Sequence, residues 1–392
     1  MNRATGSKKI VALTYFSLLA AFFAAPCADA TIIKGSMFSP SNGRNVDYRV
    51  YTPPGYNAKL ATRYPVVFSL HGEGGTPSQR AINYAPTLDQ QITSGAIMPM
   101  IWVFPDGQDN SYYGNAFDGH KQVYSNIIQE LVPQIDATYN TIANRADRAV
   151  EGFSMGGFGA GMFAATNSKL FSATLLSGAV VPTWDKLLAK QPAVALEMYN
   201  DVESNFLPYS LWDTTTANAP TIAATVDYKM VCGDLDGQLS NDMKFANYLL
   251  SLGIDPKFQI LPGVSHGGSM YIHDPAGLVF LNQHFLHSAT FLAGDYDGNG
   301  TVGIEDYNLW KSSFGSTTNL AADGNGNRVI DAGDYVVWRD HLGQAGGSGA
   351  NATANSAAVP EPSTLVMLIF AAAGWCFRRR RTPRKSHLLV DA

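Results

Sequence analysis

The sequence predicts an α/β fold in which a mostly parallel sheet is covered by helices on both faces, followed by a small all-α unit. Three observations predict it. Near-continuous apolar runs at 66–70, 101–104, 148–151, 173–176, 229–232 and 258–261 read as strands buried on both sides. Helical stretches such as 124–139 and 241–252 fall between them, as crossovers joining parallel strands must. A polar, acidic segment beginning at Gly294 is then repeated once before the composition turns to Gly, Ala, Ser and Asn.

The chain has 392 residues, 46% hydrophobic and 15% charged, enough to bury one large core and carry extra segments. Its formal net charge of −5, with basic residues bunched near the ends, argues against a nucleic-acid partner. The three cysteines are Cys27, Cys232 and Cys376. Two lie in apolar terminal segments, so no disulfide framework is expected, and Cys232 reads as a buried structural thiol.

Both ends read as processing signals. Arg3, Lys8 and Lys9 precede an apolar stretch and the small-x-small site Ala28-Asp29-Ala30, so 1–30 is expected to be a signal peptide. At the far end, Pro360-Glu361-Pro362 leads into a short apolar run, Leu365 to Phe377, and four arginines, Arg378 to Arg381. The run is shorter than the ~20 residues a stable span prefers, and the arginines mark its cytoplasmic side. These parts in this order resemble the PEP-CTERM sorting signal, which implies recognition by exosortase-type machinery and delivery to the cell surface or medium through a transient or permanent C-terminal anchor. The expected organisation is a signal peptide at 1–30, a large α/β domain at 31–292, the duplicated unit at 293–343, a flexible linker at 344–359, the sorting signal with its short transmembrane helix at 360–381, and a tail at 382–392.

Inside the large domain the most telling stretch is Glu151-Gly152-Phe153-Ser154-Met155-Gly156-Gly157. It places Gly-x-Ser-x-Gly between an apolar strand and a small-residue helix start. A serine on so sharp a turn is exposed at the top of the sheet with a helix N-terminus behind it, and a side chain at Gly152 or Gly156 would clash across the turn.

A serine hydroxyl needs a base to take its proton, normally a histidine whose tautomer a carboxylate fixes. Of eight histidines, His266 lies in the loop after the last predicted strand, where chemistry in such sheets is carried. His71 sits in Leu70-His71-Gly72-Glu73-Gly74-Gly75 and reads as a brace for that turn. The acid belongs after the 229–232 strand, in Gly233-Asp234-Leu235-Asp236-Gly237. Gly-x-x-Asp spacing favours Asp236, with room for the loop to turn back toward the histidine; Asp234 is the second candidate. For the developing oxyanion the donors are the amide of Met155, first in the elbow helix, and an amide of the glycine-rich turn after 66–70, Glu73 ahead of Gly72. The order Ser154, Asp236, His266 is that of the α/β-hydrolase fold. Tyr112, Tyr113 and Trp184 are candidates for a pocket wall, though aromatic residues there more often pack.

Tyr51-Thr52-Pro53-Pro54-Gly55-Tyr56, Arg63-Tyr64-Pro65-Val66-Val67, Leu70-His71-Gly72 and the 148–160 segment together resemble the esterase D-like family of esterases. Feruloyl and acetylxylan esterases of the carbohydrate-esterase type, S-formylglutathione hydrolases and mycolyltransferases belong to it. The resemblance implies a serine carboxylic-ester hydrolase working through an acyl-enzyme; export disfavours a glutathione-thioester substrate, and the repeated unit at 293–343, which resembles a dockerin, points to feruloyl or acetyl esters of polysaccharide. Two other functions stay open at this point: acyl transfer of the mycolyltransferase type, and a non-catalytic surface or scaffold protein with an inert hydrolase fold.

In the duplicated unit, oxygen-bearing residues recur at loop positions one, three, five and twelve, the donor pattern that calcium takes. Each loop precedes a helix with aromatic or apolar residues on one face, Tyr307, Trp310 and Phe314, then Tyr335, Trp338 and Leu342. The pattern resembles a type I dockerin. It implies structural calcium held in the first loop by Asp295, Asp297, Asn299, the Thr301 carbonyl and Asp306, and in the second by Asp323, Asn325, Asn327, the Val329 carbonyl, Asp331 and Asp334. Gly303 replaces a polar ninth residue, and Arg328 replaces the sixth-position glycine. A cohesin-like partner is the implied interaction, but Ile304-Glu305 and Ala332-Gly333 at the usual recognition positions differ from the common Ser-Thr. No cofactor is expected for the catalytic step.

Overall fold

The computed structural model describes residues 30–60, 62–272, 275–288, 293–297, 301–317, 321–325 and 329–344. The signal peptide, most of the linker, the sorting signal, the tail, Asn299 and Asn327 lie outside these residues.

Among the described residues eight strands form one sheet: β1 (Thr31–Ser39), β2 (Arg44–Thr52), β3 (Val66–Leu70), β4 (Ile101–Pro105), β5 (Arg148–Phe153), β6 (Ala173–Ser177), β7 (Asp227–Gly233) and β8 (Gln259–Leu261). Their spatial order is β1-β2-β4-β3-β5-β6-β7-β8. From β4 to β8 every pairing is parallel. The six expected strands are present with ends shifted by one or two residues, as strand boundaries usually are.

The apolar runs have a direct cause. Alternate residues of each central strand enter different cores: Val66, Phe68, Ile101, Val103 and Val150 pack on one face. Val67, Trp102, Phe104 and Ala149 pack on the other. Covering helices supply the partners: Phe158, Met162 and Phe163 from Met155–Thr166 on the first face, and Ala81, Tyr84 and Leu88 from Pro77–Thr93 on the second. A sheet wrapped on both faces has no polar side to leave in its sequence pattern.

Two features differ from the sequence reading. The first two strands form an antiparallel hairpin, which then pairs antiparallel with β4 and makes the sheet mixed. Exposure alternates along β1 and the start of β2, as in an edge ribbon, while the end of β2 is buried on both faces, Val50 in one core and Tyr51 in the other. The expected helix at 124–139 is broken by a wide turn over Asn126–Leu131, where the Val132 amide donates to the Ile127 carbonyl, five residues back. Pro133 follows and has no amide hydrogen, so the usual ladder cannot run through this point.

The duplicated unit forms two helices, Ile304–Ser313 and Ala332–His341. They are tied reciprocally. Trp310 Nε1 donates to the Asp331 carbonyl at 2.8 Å, and Trp338 Nε1 donates to the Gly303 carbonyl at 2.7 Å. Each indole therefore caps the approach to the other helix. Tyr296, Val302, Ala322, Ile330 and Trp338 fill its core together with Ala143 of the large domain. Among the described residues no helix is long and apolar enough to cross a membrane.

Candidate active site

Ser154 sits between β5 and the Met155–Thr166 helix with φ 58° and ψ −117°, a backbone that L-residues rarely adopt. The glycines around it make this possible. A Cβ on Gly152 would lie 2.1 Å from the Gly156 carbonyl oxygen, and one on Gly156 would lie 2.2 Å from the Leu70 carbonyl oxygen. β3 and β5 pair so that Leu70 stands opposite Gly152, which brings the turn after β3 beside the elbow. The Ser154 amide donates to the Ser177 carbonyl at 3.0 Å, anchoring the turn to β6 as well.

The three expected polar groups meet here. Ser154 Oγ lies 2.9 Å from His266 Nε2. His266 Nδ1 lies 2.9 Å from both carboxylate oxygens of Asp236, whose side chain is fully buried. With a carboxylate at Nδ1, the ring hydrogen belongs there and Nε2 is left to accept from the serine hydroxyl. Asp234 does different work: its Oδ1 accepts from the Gly263 amide at 2.7 Å, tying the β7 loop to the loop that carries His266.

The glycine-rich turn is held against the nucleophile. A Cβ on Gly72 would come within 3.3 Å of Ser154 Cβ. The Gly107 amide donates to His71 Nε2 at 2.9 Å, and His71 Nδ1 lies 2.9 Å from the Gly72 carbonyl oxygen. Tyr113 Oη donates to the His71 carbonyl at 2.9 Å. His71 thus fastens the turn that carries the Gly72 and Glu73 amides. The Glu73 side chain is exposed and accepts from Gln191 Nε2 at 3.1 Å, while Met155 opens the elbow helix, buried. Tyr112, Tyr113 and Trp184 are packing residues: both tyrosines are buried, Tyr113 against Phe163, and Trp184 lies against Tyr199 and Phe206.

Residues 39–232 match the family model described as "Putative esterase". They form a domain of that esterase family. Residues 358–381 match the PEP-CTERM protein-sorting motif. An esterase of Mycobacterium tuberculosis is 37% identical over 126 residues, 31% of this chain and 26% of that one. The endo-1,4-beta-xylanase/feruloyl esterase of Xylanibacter ruminicola is 32% identical over 129 residues, 31% of this chain and 18% of its own. The chain therefore spans only about a quarter or less of the length of these curated relatives. Among solved structures, a ferulic acid esterase superposes with a TM-score of 0.57 at 24% identity, over 66% of this chain and all (100%) of that one. A Staphylococcus aureus fluorophosphonate-binding serine hydrolase superposes with a TM-score of 0.56 at 17% identity, over 65% of this chain and 100% of that one. The fold is that of the α/β-hydrolases.

Beneath the esterase domain's elbow lies a buried network that the sequence did not reveal. Arg80 Nε donates to Ser69 Oγ at 2.7 Å and Arg80 Nη2 to Glu151, with Tyr84 Oη donating to Glu151 Oε2 at 3.1 Å. Tyr271, on the short helix Gly268–Ile272, lies behind Asp236. Neither residue belongs to a motif. The one available hint was Glu151 itself, a charged residue inside an apolar strand, which demands a buried partner.

In the small unit, carboxylate oxygens of Asp295, Asp297 and Asp306 all lie within 4.8 Å of one another, the one such cluster of three among the described residues. Asp295 and Asp306 are buried, and burial raises the Asp306 carboxyl above its usual range. Hard, buried, oxygen-only donors fit a calcium ion. Thr301 follows in the same loop. In the second loop, Asp334 accepts from the amides of Asn325 at 3.0 Å and Asp331 at 2.8 Å, closing the turn that contains Val329. Asp323 is held at 2.7 Å by Arg63 of the esterase domain, which places a cationic group at the first position of that loop.

Proposed function

We propose that the chain is an exported serine carboxylic-ester hydrolase that removes feruloyl or acetyl groups from polysaccharide through an acyl-enzyme. The observation that carries this reading is the unbroken contact from Ser154 through His266 to Asp236 on a strained elbow. Ser154 Oγ attacks the ester carbonyl while His266 Nε2 takes its proton, and the buried Asp236 carboxylate stabilises the imidazolium. The tetrahedral oxyanion is held by the amides of Met155 and Glu73. His266 then gives the proton to the departing alcohol oxygen, leaving an ester on Ser154. Water, deprotonated by His266, attacks that ester; the carboxylic acid leaves and the proton returns to Ser154 Oγ.

Feruloyl esterases among the similar proteins support the acyl group and the polysaccharide. The sorting motif supports export and C-terminal sorting, and the basic and apolar N-terminus adds to it. Calcium in the small unit, held by Asp295, Asp297, Asn299, the Thr301 carbonyl and Asp306 and by the corresponding residues of the second loop, is assigned a structural role, because these loops hold no part of the triad.

A substrate panel tests the proposal. Purified protein is expected to hydrolyse a short-chain nitrophenyl ester and to release ferulate or acetate from feruloylated oligosaccharide or acetylated xylan. Inactivity of the folded protein on every ester, or activity retained by Ser154→Ala, would overturn it.

A further inference from the structure

We infer that Tyr271 is a positioning residue for the catalytic acid, a fourth member of the chain that begins at Ser154. This rests on the proposed roles of Ser154, His266 and Asp236. Tyr271 Oη donates to Asp236 Oδ2 at 2.5 Å and accepts from the Gly233 amide at 2.9 Å. The second contact fixes the phenol from the end of β7, so the first is aimed and not merely available. Asp236 Oδ2 is also one of the oxygens 2.9 Å from His266 Nδ1. The carboxylate is therefore held from two sides, its plane set by an imidazole in front and a phenol behind. The Gln238 amide donates to Oδ1 at 2.8 Å and completes the clamp.

The surrounding backbone is shaped to admit this contact. Gly178, at the end of β6, has φ +49°, and a Cβ there would lie 2.8 Å from Asp236 Oδ2 and 2.9 Å from Tyr271 Oη. The Phe153 ring lies 4.8 Å from the His266 ring and 5.3 Å from the Tyr271 ring, centroid to centroid, and packs beside both ends of the chain. The other titratable groups near this acid are Cys232 on β7 and Asp242 on the helix Leu239–Ser251. Burial raises both above their usual ranges. Burial and the adjoining Asp236 raise the Tyr271 phenol too, which keeps it a donor throughout the working range.

The consequence is electrostatic as well as geometric. A hydrogen bond from Tyr271 draws charge from the carboxylate and so weakens its hold on the imidazolium. Removing the donor strengthens the carboxylate's hold on the imidazolium and loosens the ring's orientation. A stronger donor does the opposite.

The experiment is a pH profile of kcat/KM on a nitrophenyl ester for the wild-type protein, Tyr271→Phe, and protein carrying 3-fluorotyrosine at position 271, whose phenol is a stronger donor of nearly the same shape. Tyr271→Phe is expected to lose about tenfold in kcat with KM unchanged, and to move the acid limb to higher pH. The fluorinated protein is expected to move that limb to lower pH while staying folded. Limbs that coincide with wild type in the fluorinated protein would overturn the inference even if Tyr271→Phe does not fold. Wild-type protein inactive on esters would instead overturn the proposed function, a distinct result.

Discussion

Arg80 Nη2 lies 2.9 Å from each carboxylate oxygen of Glu151, three residues before Ser154, with both side chains buried. The guanidinium also bonds Ser69 on β3 and Tyr84 on its own helix. This pair joins the two central strands to their covering helix under the elbow. Removing one partner strands the other's charge in the interior, which costs on the order of 3–5 kcal/mol. Glu151→Gln is therefore expected to lower the free energy of unfolding by several kcal/mol, measured by urea denaturation, while Arg80→Met/Glu151→Met recovers part of the loss.

The glycines of the elbow are a steric requirement. A Cβ at Gly156 would approach the Leu70 carbonyl oxygen to 2.2 Å, and backbone cannot yield as a flexible side chain does. Gly156→Ala is expected to abolish activity and lower the melting temperature. Gly237→Ala, next to Asp236 but with open space around its Cβ position, is expected to stay within about 0.5 kcal/mol of wild type.

Asp236 and Asp234 are separated by one residue and by their contacts. Asp236→Asn is expected to cut kcat on the order of a thousandfold or more, because His266 loses the partner that sets its tautomer. Asp234→Asn keeps an oxygen for the Gly263 amide and is expected to change kcat less than about twofold, within ordinary surface-substitution effects. Steady-state kinetics on one ester distinguishes them.

Much of this was legible in the sequence. Six of the eight strands, the elbow and the alignment of Ser154, Asp236 and His266 follow from local signals: apolar runs, glycines at a tight turn, and residues just past strand ends. The β1–β2 hairpin was missed although Asn42-Gly43 between alternating segments is a hairpin signal. Half-exposed residues along β1 and the start of β2 leave no continuous apolar run there. Tyr271 and Arg80 were not legible because their roles depend on contacts 35 and 71 residues away in the chain, which no spacing rule encodes.

Asp227 and His284 supply a pH test away from the active site. His284 Nδ1 lies 2.7 Å from Asp227 Oδ2, and this contact lowers the Asp227 carboxyl to about 2. A carboxyl lowered by folding contributes stability above its unfolded value near 3.8, and that stability is lost as pH falls toward about 2. The half-exposed setting keeps the contribution modest. Asp227→Asn is expected to flatten the acid side of the stability profile between these values, with little change in esterase activity at neutral pH.

Calcium is expected to stabilise the small unit of the full chain. Chelation should change the fluorescence of Trp310 and Trp338, which bridge the two repeats. Asp306→Ala should weaken the binding measured by calorimetric titration, because Asp306 belongs to the first-loop carboxylate cluster. Calorimetry without a binding signal in the wild-type chain would contradict calcium binding.

The proposed ester hydrolysis rests on Ser154 as the nucleophile. Intact-mass spectrometry after treatment with a fluorophosphonate tests it most directly, followed by peptide mapping. One stoichiometric adduct on Ser154 is expected, lost in Ser154→Ala and slowed in Asp236→Asn. A folded protein that takes no adduct, or carries it on another serine, would contradict it.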